Sequence, residues 1–230
     1  MPGLLFQPIS SSDVKLKTPF TMLVVGSSGA GKSTFVENLI QTPDCMDRPL
    51  GEIFYFYNSD SFGGLGRLPG VKYIRGLPTK DWVESRLGFI EQGNVQKRKN
   101  VPLVIIDDFG GSIDLDTASL FTVTSHHDDI NFVVILHTLY SRNPAYKLMN
   151  DNCKYLVLFK NPRDLQTVSN LARQMDPQRN GRFVAIFKEA TERPFSYLLI
   201  DLHQTTAEKL RFRGNVLFEN DEPMSIFVRK

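Results

Sequence analysis

The sequence predicts an α/β fold in which a mostly parallel sheet is covered by helices on both faces, and three observations predict it. A β-type apolar run, Phe20-Thr21-Met22-Leu23-Val24-Val25, leads directly into Gly26-Ser27-Ser28-Gly29-Ala30-Gly31-Lys32-Ser33-Thr34. Helical spacing follows, with apolar residues at Phe35, Val36, Leu39 and Ile40. Further on, Val101-Pro102-Leu103-Val104-Ile105-Ile106 is a continuous apolar run closed by Asp107 and Asp108, the pattern of a strand buried on both faces. Runs of this kind alternate with helix-like segments along most of the chain, as in a parallel sheet covered on both sides.

Residues 1–19 are polar, punctuated by Pro and Ser, and read as an arm. The first strand covers 20–25, and the helix after the glycine-rich turn runs to about residue 41, where Thr42-Pro43-Asp44 breaks it. Glu52-Ile53-Phe54-Tyr55-Phe56-Tyr57 is a second strand, rich in aromatics. A loop with Gly63, Gly64, Gly66 and Gly70 leads to a short strand, Val71–Ile74. Thr79 is placed to cap a helix beginning at Lys80-Asp81-Trp82. Residues 93–100 read as a polar linker before the buried strand from Val101. A helix is expected over 114–128, then a buried strand over 130–136, a helix over 144–150 and a strand over 154–160. Asn161-Pro162-Arg163-Asp164 starts a helix that ends at Met175; a short helix over 181–190 and a strand over 195–201 complete the pattern. The division that follows is an arm (1–19), a nucleotide-binding domain (20–201) and a mixed tail (202–230).

The glycine-rich turn matches G-x-x-x-x-G-K-[ST] at every fixed position, in the strand-to-helix context that pattern requires. Its chemistry is phosphate binding. Glycines let the backbone curl so that N–H groups face the phosphates, Lys32 reaches the β- and γ-phosphates, and the Ser33 hydroxyl ligates Mg²⁺. All nine residues from Gly26 to Thr34 are therefore expected nucleotide contacts, with ATP and Mg²⁺ as cofactors. The fold class sharpens to a three-layer α/β/α P-loop nucleoside triphosphatase with an extra strand between its two nucleotide motifs. The second motif is the aspartate pair. Asp107 is expected to hold Mg²⁺, and Asp108 to orient and polarise the attacking water. Asp108-Phe109-Gly110 also spells the kinase D-F-G, but the chain has no H-R-D catalytic loop and kinases do not use this phosphate loop.

The strand after the pair ends in His137-Thr138, and either residue can sense the γ-phosphate. Arg142, Arg163 and Arg173 are candidates for an arginine that reaches the transition state of a neighbouring subunit. Arg163 is preferred, because its tight turn lies just past the C-terminal end of a strand, where sites gather in such sheets. His126-His127-Asp128-Asp129 looks like a metal cluster but reads as a helix end, with histidines at the negative pole of the dipole.

Composition limits the partners. A net charge of +2 over 230 residues excludes a general polycation, so nucleic-acid binding must rest on local patches. Lys97-Arg98-Lys99 and the set Lys209, Arg211, Arg213 are the candidates. Cys45 and Cys153 have no metal-type spacing and are expected as reduced thiols in an intracellular protein; neither a signal peptide nor a membrane span is expected.

Together, GSSGAGKST, LVIIDD, ILHTLY, YLVLFKNPRD, LARQM and YLLIDLHQTT resemble the DNA-packaging ATPases of the FtsK–HerA superfamily, in the poxvirus-type branch found in eukaryotic double-stranded DNA viruses and virus-like self-synthesising transposons. The resemblance covers about residues 18–215. It implies a homo-oligomeric ring, pentameric or hexameric, that pumps double-stranded genomic DNA without sequence preference into a preformed capsid. It also implies a capsid or portal-like vertex partner, and a location at the site of virion assembly in an infected cell or in the virion. Lys32 and Ser33 would be the phosphate and Mg²⁺ ligands, Asp107 the metal aspartate and Asp108 the catalytic acid. The family commonly has Gln-Asn where this chain has His137-Thr138. Two other readings share the same motifs: a helicase or DNA-segregation pump, and a structural subunit that binds nucleotide without turnover.

Overall fold

The computed structural model describes residues 11–58, 68–88, 98–107, 109–124, 128–178, 180–217 and 223–228. The elements in chain order are α1 (Ser11–Val14), β1 (Thr21–Val25), α2 (Lys32–Gln41), β2 (Leu50–Tyr57), β3 (Val71–Arg75), α3 (Lys80–Leu87), β4 (Val101–Asp107) and α4 (Leu115–Ser119). There follow β5 (Asn131–Leu136), α5 (Pro144–Asn152), β6 (Tyr155–Phe159), α6 (Leu165–Met175), α7 (Asn180–Ala190), β7 (Tyr197–Asp201), β8 (Phe212–Gly214) and β9 (Ser225–Phe227). Strands of the described residues form one sheet in the order β3-β2-β4-β5-β1-β6-β7-β8-β9. The six from β3 to β6 are parallel; β7, β8 and β9 each run antiparallel to the strand before.

The apolar runs become the buried middle of this sheet. All side chains of β1, β5, β6 and β7 are buried, as is β4 up to Ile106; only Asp107, at its tip, emerges. That burial on both faces is the reason these strands lack a period-2 pattern. One face is covered by Val83 and Leu87 of α3, Ala118 of α4, Met149 of α5, Leu171 of α6 and Phe183 of α7. The other face is held by Phe35, Val36 and Leu39 of α2, with Leu16 and Phe20 from the segment before β1 and Val216 and Leu217 from beyond β8. The three layers are thus unequal, and α2 is the one helix that carries the phosphate loop onto the sheet.

Helix starts follow from side-chain caps. Thr79 accepts from Trp82 N (3.2 Å), Asp114 from Thr117 N (2.8 Å), Asn143 from Ala145 N (2.9 Å) and Asp164 from Thr167 N (3.0 Å). The helix expected over 114–128 is shorter: α4 gives way to a π-helical turn at Leu120–Thr124, and Asp128 and Asp129 lie in a turn. Asp129 is bound by two arginines. It takes both guanidinium N–H groups of Arg48 (2.6 and 2.7 Å) and the Arg98 backbone N–H (2.8 Å). His126 and His127 lie outside the described residues.

The proposed DNA-contacting patches are redrawn by the structure. Arg213 is fully buried in β8; one terminal nitrogen donates to Asp201 Oδ2 (2.5 Å) and the other to the Val14 carbonyl (2.5 Å). Arg211 is held by Glu208 and by the Asp201 carbonyl. Arg98 donates to the carbonyls of Leu87 and Gly88. These arginines build the fold, and their charge is used internally. Lys99 and Lys209 remain exposed, and Lys97 lies outside the described residues.

Candidate nucleotide site

The loop from Gly26 to Gly31 bridges the C-terminal end of β1 and the first turn of α2. Gly26 N donates to the Leu136 carbonyl (3.2 Å), tying the loop to the tip of β5. Ala30 N donates to Ser27 O (3.2 Å) and Phe35 N to Gly31 O (2.9 Å), so the turn passes without interruption into the helix. Gly29 (φ 73°) and Gly31 (φ 101°) take left-handed conformations that side chains disfavour. Ser28 and Gly29 are exposed at the apex, whereas Lys32 is 7% exposed and donates from Nζ to the Ser27 carbonyl (2.9 Å). The ammonium is thereby held along the loop whose N–H groups can face phosphate. Ser33 is half-buried in the first turn of α2, and Thr34 is exposed.

Gly26 has a steric reason of its own: a Cβ there would lie 2.7 Å from Phe159 Cβ. Gly26→Ala must push the tip of β6 off the loop, and overpacking of this kind costs about 1–3 kcal/mol. The expected result is a folded protein with a lowered melting temperature and weakened nucleotide binding, read by thermal denaturation and titration with an ATP analogue.

β5 lies between β1 and β4, so the extra strand stands where the sequence places it. Through it, Val24 and Asp107 are level, both opposite Ile135. Two strand spacings put the aspartate roughly 10 Å from the base of the loop, at the same sheet edge. The Asp107 carboxylate accepts a hydrogen bond from the Tyr55 hydroxyl. Tyr55 is buried on the neighbouring strand β2 and tilts against the Tyr73 ring (5.4 Å). Burial, then the adjacent carboxylate, pushes the Tyr55 phenol well above its ordinary range, which keeps it the donor. Tyr55 was not among the residues the sequence singled out; its trace is only the aromatic density of the second strand. Asp108 lies outside the described residues.

At the β5 tip, His137 is exposed and Thr138 is half-buried, its hydroxyl donating to the Tyr140 carbonyl (3.1 Å). Both line a cavity of about 20 Å³ with Val25, Gly26, Asn161 and Asp164. That is room for about one water molecule. Arg163 is exposed in the turn after β6, on the flank of β1 opposite Asp107, with its backbone N–H on Asn161 Oδ1 (3.1 Å). Arg142 is exposed after β5. Arg173 sits in the last turn of α6, about 13 Å along the helix axis from the same edge. Among the described residues, no group of three or more His, Cys, Asp or Glu could hold a metal. Phe195, just before β7, stands beside Gly31: its Cβ would be 3.4 Å from a Cβ added there.

Strand, phosphate loop and helix, with a strand-end aspartate one strand removed, define the P-loop nucleoside triphosphatase fold of the extra-strand type. No protein-family model matches the chain, and no curated protein matches it. Solved structures do. The genome packaging NTPase B204 from Sulfolobus turreted icosahedral virus 2 superposes with a TM-score of 0.52 in its sulfate complex, at 11% identity, over 90% of this chain and 95% of that one. Its AMP complex gives 0.52 at 12% identity, over 92% and 97%. The DNA-packaging ATPase from Sulfolobus turreted icosahedral virus gives 0.52 at 10% identity, over 92% and 98%. The likeness is one of fold. Among the described residues, no helix is long and apolar enough to cross a membrane.

Proposed function

We propose that this chain is an ATP-hydrolysing motor that moves double-stranded viral DNA into a preformed capsid. One observation carries the reading: the likeness to genome-packaging NTPases spans nearly the whole of both chains, beyond the phosphate-loop core. That packaging NTPase has been solved with ATP-γS and with AMPPCP, in keeping with a loop built for triphosphate.

In this reading Lys32 and the loop N–H groups hold the phosphates. Ser33 and Asp107 fit Mg²⁺: a hydroxyl at the start of α2 and a carboxylate at the strand tip, steadied by Tyr55, with the remaining positions left to phosphate and water. The ion would neutralise charge on the phosphates. Asp108 orients the attacking water, His137 or Thr138 reports the γ-phosphate, and Arg163 reaches into the next subunit of a pentameric or hexameric ring. Its capsid or portal-like partner belongs to the same proposal, as does assembly in an infected cell. DNA contacts are phosphate contacts without sequence readout, for which Lys97, Lys99 and Lys209 are the candidates that remain.

The test is ATP turnover with and without linear duplex DNA, alongside displacement of a third strand from a triplex. Duplex-stimulated turnover and triplex displacement, without separation of forked strands, are expected. Separation of forked strands without triplex displacement would make the chain a helicase. Nucleotide binding with no turnover would make it a structural subunit.

A further inference from the structure

The end of the site away from Asp107 is built by the reversal of β7. Because β7 runs antiparallel to β6, with Tyr197 opposite Phe159, the turn before it arrives at the sheet edge where the phosphate loop sits. Phe195 lies in that turn. It is 68% exposed, the most exposed of the large apolar side chains among the described residues. Its backbone is left-handed, φ 64°, a conformation that is costly for an aromatic residue. The turn around it is fixed: Ser196 donates to the Arg193 carbonyl from both N (3.3 Å) and Oγ (2.7 Å). Thr191 donates to the Phe187 carbonyl in the same way (3.0 and 2.7 Å). Beneath it, Phe35, Phe159 and Tyr197 pack edge to face and tilted, with centroids 4.8–6.2 Å apart. These three rings are buried; Phe195 is not. Its Cβ and Cδ1 lie 3.4 and 3.5 Å from where a Gly31 side chain would begin.

A strained aromatic residue held out into solvent beside the last residue of a phosphate loop has a specific use. Phosphates need N–H donors and charge, which a phenyl ring does not offer. The flat face of the ring matches the flat face of a base. We infer that Phe195 is the stacking platform for the base of the nucleotide whose phosphates occupy Gly26–Lys32. The surplus strain persists because the surrounding turn over-determines it, as at other ligand clamps. Stacking holds any base, and a purine more strongly because it covers more of the ring. The site therefore favours ATP and GTP over CTP and UTP, with little discrimination between the two purines from this side chain.

The inference rests on the phosphate-loop reading, and the experiment separates the two. Binding of AMPPCP and of inorganic tripolyphosphate is measured by calorimetry for wild type, Phe195→Ala and Phe195→Trp. Phe195→Ala is expected to weaken AMPPCP about 5- to 150-fold, the range of base–aromatic stacking. Tripolyphosphate affinity should stay at the wild-type value, and Phe195→Trp should restore AMPPCP binding. Phe195→Gly, which relieves the left-handed strain, should lose AMPPCP affinity without a fall in melting temperature. Unchanged AMPPCP binding in Phe195→Ala, or equal loss for both ligands, overturns the inference while leaving the loop reading intact. Failure of wild type to bind tripolyphosphate overturns the loop reading, and this inference with it.

Discussion

Lys32→Ala is expected to lower ATP turnover by about 10²–10³-fold or more, the cost of removing one preorganised electrostatic contact from a developing phosphoryl charge. The side chain is nearly buried, and it lies along the loop through its bond to the Ser27 carbonyl. Its charge is therefore placed before the nucleotide arrives. The alanine variant loses that charge and one hydrogen bond, whose net contribution to stability is about 1 kcal/mol. The protein should remain folded, with the loop backbone still set by Gly29, Gly31 and the Gly26–Leu136 bond. Lys32→Arg should not rescue, because a planar guanidinium does not fit a site shaped around an ammonium. Steady-state hydrolysis by the folded variants decides the matter: a full rate in Lys32→Ala would remove the loop from the reaction.

The largest effect on stability is expected from Arg213→Ala. Arg213 and Asp201 form an ion pair with both side chains almost wholly out of water, 0% and 4% exposed. Removing Arg213 leaves the Asp201 charge buried with only the His203 hydrogen bonds on its other oxygen, a loss of about 3–5 kcal/mol. For a chain of this size that lowers the melting temperature by roughly 6–20 °C. The variant also leaves the Val14 carbonyl without the Arg213 donor, while the segment before β1 stays anchored by Leu16, Lys17 and Phe20. Replacing both partners, with Arg213→Met and Asp201→Leu, should recover much of the loss. The pH dependence has a definite sign. Burial alone would raise the Asp201 carboxyl, but the His203 hydrogen bonds and the Arg213 charge outweigh it and hold it below the usual range. A carboxylate depressed in the folded state contributes stability above its unfolded value, near 3.9, and loses it as pH falls through the folded value. The gap between wild type and Arg213→Ala should therefore be constant near neutral pH and close below about pH 4. A gap that persisted into acid would show that the pair contributes little.

The phosphate loop was legible because its chemistry is written in contiguous residues: strand, turn and helix follow without a break from Phe20 to Gln41. Asp107 was legible for a related reason, an acid ending an apolar run. The extra strand could be placed because β5 is as uniformly apolar as its neighbours. Other features depend on lateral pairing, which no local pattern encodes. Tyr55 reaches Asp107 only because β2 lies beside β4. Phe195 reaches the loop only because β7 turns back against β6. Arg213 lies in the stretch that reads as a mixed tail, in a basic set placed for DNA, yet its partners are Asp201 on β7 and Val14 near the other end of the chain. Charge in a sequence gives the sign of a contact, and the topology decides whether it faces DNA or a buried carboxylate.

The central position of β1 also has a consequence for how the chain is made. Its two hydrogen-bonded neighbours are β5 and β6, so after Val25 is synthesised on the order of 100 more residues must follow before either ladder can form. At ordinary translation rates the five residues of β1, four of them apolar, wait roughly 5–20 s without a partner strand. The element that carries the phosphate loop is translated early and completed late. During that interval it is an exposed, aggregation-prone segment on the ribosome, and a natural client for a chaperone.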